Sequence, residues 1–260
     1  MKKNKFKFLI IALSLLLIIF VLPVYAFGKN EDKTGDIPEV DGVYDVLGHK
    51  DLKVRVFVHK LDARRPAPTP VLNCGLSDLD STAVVDAAGW KLPSTFTYNL
   101  NPNSAPSSIG ASNSGTIAAN AFAQWTNAVN KVSIIRGDDT KINRKSLDGK
   151  NIVIWGSASG SALGVTYIWY NPSTGELKEL DTILNNKFSW MWSGSSTCAY
   201  ANAYDAQDIL THELGHWFGL DDEYTSDYVN NTMYGYGATG DAKANSLTTG
   251  DINGVKAIYN

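Results

Sequence analysis

Two histidines and a glutamate at positions 212, 213 and 216 are the residues of this 260-residue chain whose types and spacing can do chemistry. They lie in the stretch THELGHWFGLDD, as His212-Glu213-x-x-His216, with Gly219 and Asp222 following. On a helix, residues four apart share one face, so both imidazoles can reach a single metal ion. Glu213 flanks that face, where a carboxylate can hold a water against the metal and take its proton. This is the residue set that a zinc hydrolase requires.

A third protein ligand must complete the set. The only other histidines, His49 and His59, lie far upstream, and each reads as solvated or on a strand surface. The third ligand is therefore expected to be a carboxylate. No glutamate follows Glu223, which excludes a Glu ligand on a later helix. Gly219 allows a sharp turn because glycine accepts positive φ. Three residues on stands Asp222, which the spacing favours over its neighbours Asp221 and Glu223. The more distant Asp227 is the alternative.

The elements that must position these residues can be read from periodicity. Asp205 to Phe218 reads as the metal helix, capped by Asp205 and ended at Gly219. Ile117, Ala121, Trp125 and Val129 recur every four residues and predict a helix over 115–132. A last helix is expected over 248–259. Strands are expected over 95–100 and 151–155, with a hairpin of 162–170 and 177–184 around Asn171-Pro172-Ser173-Thr174-Gly175. Upstream, 52–60 alternates, with Val54, Val56 and Val58 on one face and Arg55, Phe57 and His59 on the other. Residues 101–114 read as a polar loop. The order implies an α+β domain, a mixed sheet packed on helices.

Composition bounds the rest. With 44% hydrophobic residues the chain can bury one sizeable core. Lys2, Lys3, Lys5 and Lys7 precede an apolar run from Phe8 to Leu22, with Val24 and Ala26 before the expected cut, so residues 1–26 read as a secretory signal peptide. An uncleaved membrane anchor is the alternative. No other stretch is apolar and long enough for stable membrane association. Residues 27–89 form an N-terminal segment, a propeptide or an extension, with a proline-rich linker at 63–70. Residues 90–260 form the catalytic domain. Loss of the four leader lysines takes the formal charge from −3 to −7, which argues against nucleic acid as a partner. Cys74 and Cys198, the only cysteines, are expected to pair in an exported protein.

His212, Glu213, His216, Gly219 and Asp222 together resemble the metzincin motif HExxHxxGxx(H/D), with Asp in the last place as in snapalysin-like enzymes. Met233, in Asn231-Thr232-Met233-Tyr234-Gly235, resembles the Met-turn. Leu247 to Tyr259 is similar to the terminal helix of matrixin-like peptidases, and the hairpin is similar to that of bacterial and archaeal members. The resemblance implies a secreted, monomeric zinc endopeptidase acting on proteins or peptides, with a twisted five-stranded sheet over the active-site helix. It implies Glu213 as general base and substrate laid as an extra strand along 163–170. It also implies calcium, for which Asp181 is a candidate ligand. Tyr234 and Tyr236 are expected to form wall rather than assist an oxyanion. Cys74-Gly75-Leu76-Ser77-Asp78 faintly resembles the cysteine switch of matrixin propeptides, with Ser77 where that motif has proline. Two alternatives accompany this reading: an aspzincin-like peptidase with Asp227 as third ligand, and an inactive zinc-holding surface or adhesion protein.

Overall fold

The computed structural model describes residues 37–62 and 71–260. The expected signal peptide and the proline-rich linker lie outside the described residues. Among the described residues no helix is long and apolar enough to cross a membrane.

In chain order the strands and helices are β1 (Gly42–Val46), β2 (His49–Leu61), β3 (Leu72–Cys74), β4 (Thr95–Leu100), α1 (Gly110–Val129), β5 (Ser133–Arg136), β6 (Ile152–Gly156), β7 (Ala162–Tyr170), β8 (Leu177–Asn185), β9 (Trp190–Met191), β10 (Cys198–Tyr200), β11 (Tyr204–Asp205), α2 (Ala206–Trp217), β12 (Tyr236–Gly237) and α3 (Thr249–Tyr259). The arrangement is α+β. The five central strands run β5-β4-β6-β8-β7, all parallel except β7, which returns antiparallel to β8 through the Asn171–Gly175 turn. Asn171 closes that turn by accepting hydrogen bonds from the Ser173 and Thr174 amides at 2.9 and 3.2 Å.

Two further strands extend this sheet from the N-terminal segment. Strand β2 pairs antiparallel with β7 from Lys53↔Tyr170 to Lys60↔Ala162, and β1 pairs with β2. The β7 edge expected to receive substrate is therefore covered by the chain itself. Strand β2 is also buried on both faces rather than one. Val54 and Val56 sit in the outer core with Val165, Tyr167, Trp169 and Ile183, whereas Phe57 joins the inner core beneath α2. Fully burying such a side chain is worth about 1.5–3 kcal/mol, so the segment shares the core instead of resting on its surface.

The inner face of the sheet carries Tyr98, Leu100, Val153, Trp155, Ile168, Leu180 and Leu184, packed against α1, α2 and α3. The Trp125 indole of α1 donates to the Thr211 carbonyl of α2 at 2.8 Å, fixing the two helices in register. Helix α1 starts five residues earlier than its apolar spacing indicates. Its first turn is Gly-Ala-Ser-Asn-Ser, which has no apolar period. It is held instead by side chains that bond back to the helix, Asn113 to the Ile109 carbonyl and Ser114 to that of Ala111. Asn130, at φ 51°, ends α1 in the left-handed region. Cys74 and Cys198 form a disulfide where β3 pairs with β10, so Cys74 is not a free thiol.

Candidate metal centre and catalytic site

Helix α2 begins at Asp205, whose side chain accepts from the Gln207 and Asp208 amides at 3.0 and 3.2 Å. Every residue of α2 is buried, because sheet, α1 and the segments after the helix enclose it. On its site-facing side stand His212 and His216, both fully enclosed.

Each imidazole is oriented by a main-chain carbonyl. His212 Nδ1 lies 2.8 Å from the Thr232 oxygen and His216 Nδ1 2.9 Å from the Leu220 oxygen. A carbonyl only accepts, so Nδ1 carries the hydrogen in both rings, and in the neutral form each Nε2 keeps a lone pair. Neither Nε2 has a hydrogen-bond partner. The chain then turns at Gly219, at φ 97°, where an added Cβ would come 2.2 Å from the Trp90 carbonyl oxygen. That turn brings Asp222 Oδ1 to 3.1 Å from His212 Nε2 and 3.5 Å from His216 Nε2. Asp222 Oδ1 is likewise without a hydrogen-bond partner. Three buried, unsatisfied lone-pair atoms facing one point are costly unless a cation is shared between them, so these residues fit a metal ion.

These groups shift one another's protonation strongly. Burial would raise the Asp222 carboxyl, but the two imidazoles beside it, His216 first and then His212, outweigh burial and hold it far below the usual carboxylate range. Burial pushes His216 down to about 4, so it stays neutral and able to ligate near neutral pH. His212 goes the other way: burial lowers it, yet the Asp222 carboxylate beside it raises it overall.

Glu213 is fully buried beside the first imidazole. Its Oε2 accepts from the Thr166 hydroxyl at 2.6 Å, while Oε1 has no partner. Burial raises its carboxyl to about 7, against the lowering influence of His212 and Thr166. Gly164 makes room for it, since an added Cβ would lie 2.2 Å from Glu213 Oε1.

Met233 lies fully buried under the helix, and an added Cβ on Gly215 would come 2.2 Å from its sulfur. The turn that carries it is anchored by Asp251 of α3. That carboxylate accepts from the Thr232 amide at 2.9 Å and the Met233 amide at 3.3 Å, and from the Thr248 amide in a capping box. Sequence reading found the last helix but not this role for Asp251. The signal was the pattern Thr248-x-x-Asp251 at its start.

The remaining residues singled out from sequence fall as follows. Asp221 and Glu223 point away from the centre, to Arg55 and to the Asp86 amide. Asp227 is exposed in a short 3-10 turn, outside the metal-facing group. Asp181 is fully buried, with its oxygens taken by the Ser146 and Ile152 amides. The rings of Tyr234 and Tyr236 lie 5.5 Å apart and tilted 55° to one another, with Tyr236 partly exposed. His49 is exposed, as expected.

His59 corrects the expectation. It is only 3% exposed, its ring lies 3.8 Å from that of His212, and its Nδ1 is 3.7 Å from Glu213 Oε1. The alternation along β2 correctly set His59 and Phe57 on one face. It could not tell that this face would meet α2. Sequence also missed Tyr224, whose hydroxyl lies 3.1 Å from the outer oxygen of Asp222.

A glycine that swings one carboxylate onto two imidazoles, and a methionine packed beneath them, place the molecule among the metzincin class of metal hydrolases. Residues 89–260 match the family model of the matrixins, peptidase M10, and the chain belongs to that family. Matrixins are zinc-dependent endopeptidases. No curated protein matches the chain.

Proposed function

We propose that the protein is an exported zinc endopeptidase in which His212, His216 and Asp222 hold the metal and Glu213 is the general base. The observation that carries this is the convergence of three partnerless buried atoms, two Nε2 and one Oδ1, with Glu213 Oε1, likewise without a hydrogen-bond partner, on the same helix. Zinc held there would supply Lewis acidity, polarising a peptide carbonyl and acidifying water.

The chain's own residues supply the rest. Glu213, raised to about 7 by burial, is matched to accept a proton from water and return it to the leaving amine near neutral pH. Thr166 holds one carboxylate oxygen, leaving Oε1 to face the reacting groups. The Thr232 and Leu220 carbonyls keep both imidazoles in the ligating tautomer. Tyr224 braces the outer oxygen of Asp222.

Export rests on the basic, then apolar, N-terminus and on the Cys74–Cys198 bridge, a bond that persists in oxidising compartments. Substrates are proteins or peptides, bound by strand addition along β7 once that edge is free.

The test is hydrolysis of casein or an unstructured quenched-fluorescence peptide by zinc-loaded protein, compared with Glu213→Gln and with a chelator. Loss of hydrolysis in both, with the variant still binding zinc, supports the assignment. Unchanged hydrolysis by Glu213→Gln removes Glu213 as the base.

A further inference from the structure

Strand β2 lies where the substrate of the proposed endopeptidase would lie, so the following inference rests on that reading. In the five-stranded catalytic sheet β7 would be an open edge. Here β2 runs antiparallel to it over Lys53–Lys60, and the end of β2 also pairs in parallel with β12, Tyr236↔Lys60 and Gly237↔Leu61. Leu61 donates its amide to the Ser161 carbonyl on one side. Lys60 and Asp62 donate to the Gly235 and Gly237 carbonyls on the other, at 3.1 and 2.7 Å. An extended segment bonded on both edges, between the sheet and the chain following Met233, is held as a peptide bound by strand addition.

The side chains continue the likeness. Phe57 stacks on His216 with ring centroids 3.7 Å apart and planes 6° from parallel. Two residues on, His59 stands over His212 and next to Glu213, and neither of its ring nitrogens has a hydrogen-bond partner. His59, His212 and Glu213 form a second group of buried donor atoms able to share a metal, joined to the group of His212, His216 and Asp222 through His212. The strand is clamped from outside. Arg55 lies 4.0 Å over the Phe57 ring and pairs with Asp41 and, at 3.1 Å, with Asp221, the neighbour of the metal-facing aspartate. Tyr224 reaches Asp41 at 3.0 Å from the same side. Cys74 takes no part in closing the site, because it is bonded to Cys198.

We propose that β2 is a substrate-like occupant of the peptide cleft and that His59 supplies the fourth donor to the metal, so the centre is latent until this strand leaves. His59 closes the site in two ways. It takes the position that water needs beside Glu213, and its backbone fills the strand groove that a peptide needs.

The experiment compares the intact chain with His59→Gln and with Arg55→Ala, the latter weakening the clamp without touching the metal-facing residues. Each is loaded with Co²⁺ and its visible bands recorded, then titrated with acetohydroxamate, a small chelating ligand that needs an open metal position but no strand groove. The zinc forms are assayed on a quenched-fluorescence peptide. The expected result is a changed cobalt spectrum in His59→Gln and acetohydroxamate affinity at least tenfold higher than in the intact chain. Peptide hydrolysis should be at least tenfold faster in Arg55→Ala, where the hold on the strand in the groove is weakened. Cobalt bands and acetohydroxamate affinity unchanged by His59→Gln would overturn the proposal, whatever the hydrolysis rates. If bands and affinity shift while no form cleaves peptide, the closure by His59 stands and the endopeptidase reading falls.

Discussion

The Thr166 hydroxyl lies 2.6 Å from Glu213 Oε2 and 2.7 Å from the Thr182 hydroxyl, all within the closed interior. A hydroxyl has one hydrogen, and Thr166 gives it to the carboxylate. Thr182 must therefore donate to Thr166, and it in turn accepts from the Trp217 indole at 2.9 Å. The hydrogen bonds run in one direction, Trp217 to Thr182 to Thr166 to Glu213, from the end of α2 through two strands and back to its middle. Hydrogen bonds to charged groups are worth about 1.5–3 kcal/mol. Thr166→Val is thus expected to lower kcat roughly ten- to hundredfold with KM little changed, and Thr166→Ser to restore most of it. Steady-state kinetics on one peptide decide this. The assay is run in the Arg55→Ala background if the intact chain is latent.

Burial of Glu213 has a pH signature in the metal-free protein. Its carboxyl ionises near 4.5 in the unfolded chain and at about 7 in the fold. The folded state keeps the proton longer, so the stability contributed by the neutral form is present below 4.5 and lost as pH rises through 7. Thermal melts of chelator-treated protein should show the parent losing stability relative to Glu213→Gln across that interval. A parallel pH dependence of the two proteins would contradict the assignment.

Asp222 and Asp227 are expected to differ in their effect on metal affinity. Asp222→Ala removes an atom 3.1 Å from His212 Nε2, whereas Asp227 is exposed on a turn. Asp222→Ala is expected to weaken zinc binding by more than the roughly 10- to 100-fold typical of losing an outer-shell partner. Asp227→Ala should leave it unchanged. Competition with a chromophoric chelator measures both.

Gly215 has no room for a side chain. An added Cβ would meet the Met233 sulfur at 2.2 Å and the Trp125 ring at 2.8 Å. Gly215→Ala is expected to destabilise the fold by about 1–3 kcal/mol, the usual cost of overpacking a core, despite the better helix propensity of alanine. Urea denaturation of the two proteins gives the difference.

The Cys74–Cys198 bridge links residues 124 apart in the chain. Constraining so long a loop in the unfolded state predicts that Cys74→Ser/Cys198→Ser costs about 2–5 kcal/mol. The same variant should retain metal binding, because neither cysteine touches the centre.

What could be read from the chain alone was local. The spacing of His212, Glu213 and His216 sets a common helix face by the helical repeat, Asp205 and Gly219 mark its ends, and the Asn171–Gly175 cluster marks a hairpin. Those features depend on residues within a few positions of one another, so backbone geometry alone makes them legible. Even the approach of Asp222 to both imidazoles followed from a single turn at a glycine.

The tertiary structure decided everything that joins distant strands. Alternation in β2 put Phe57 and His59 on one face, but nothing along the chain said that β2 would pair with β7 and turn that face onto α2. Sheet order is set by how long-range pairings bury both faces together, here Val54 and Val56 outward and Phe57 inward. The same holds for Thr166 meeting Glu213 and Asp251 meeting the Met233 turn. Each is a polar group whose partner exists only once the core has closed and water can no longer satisfy it.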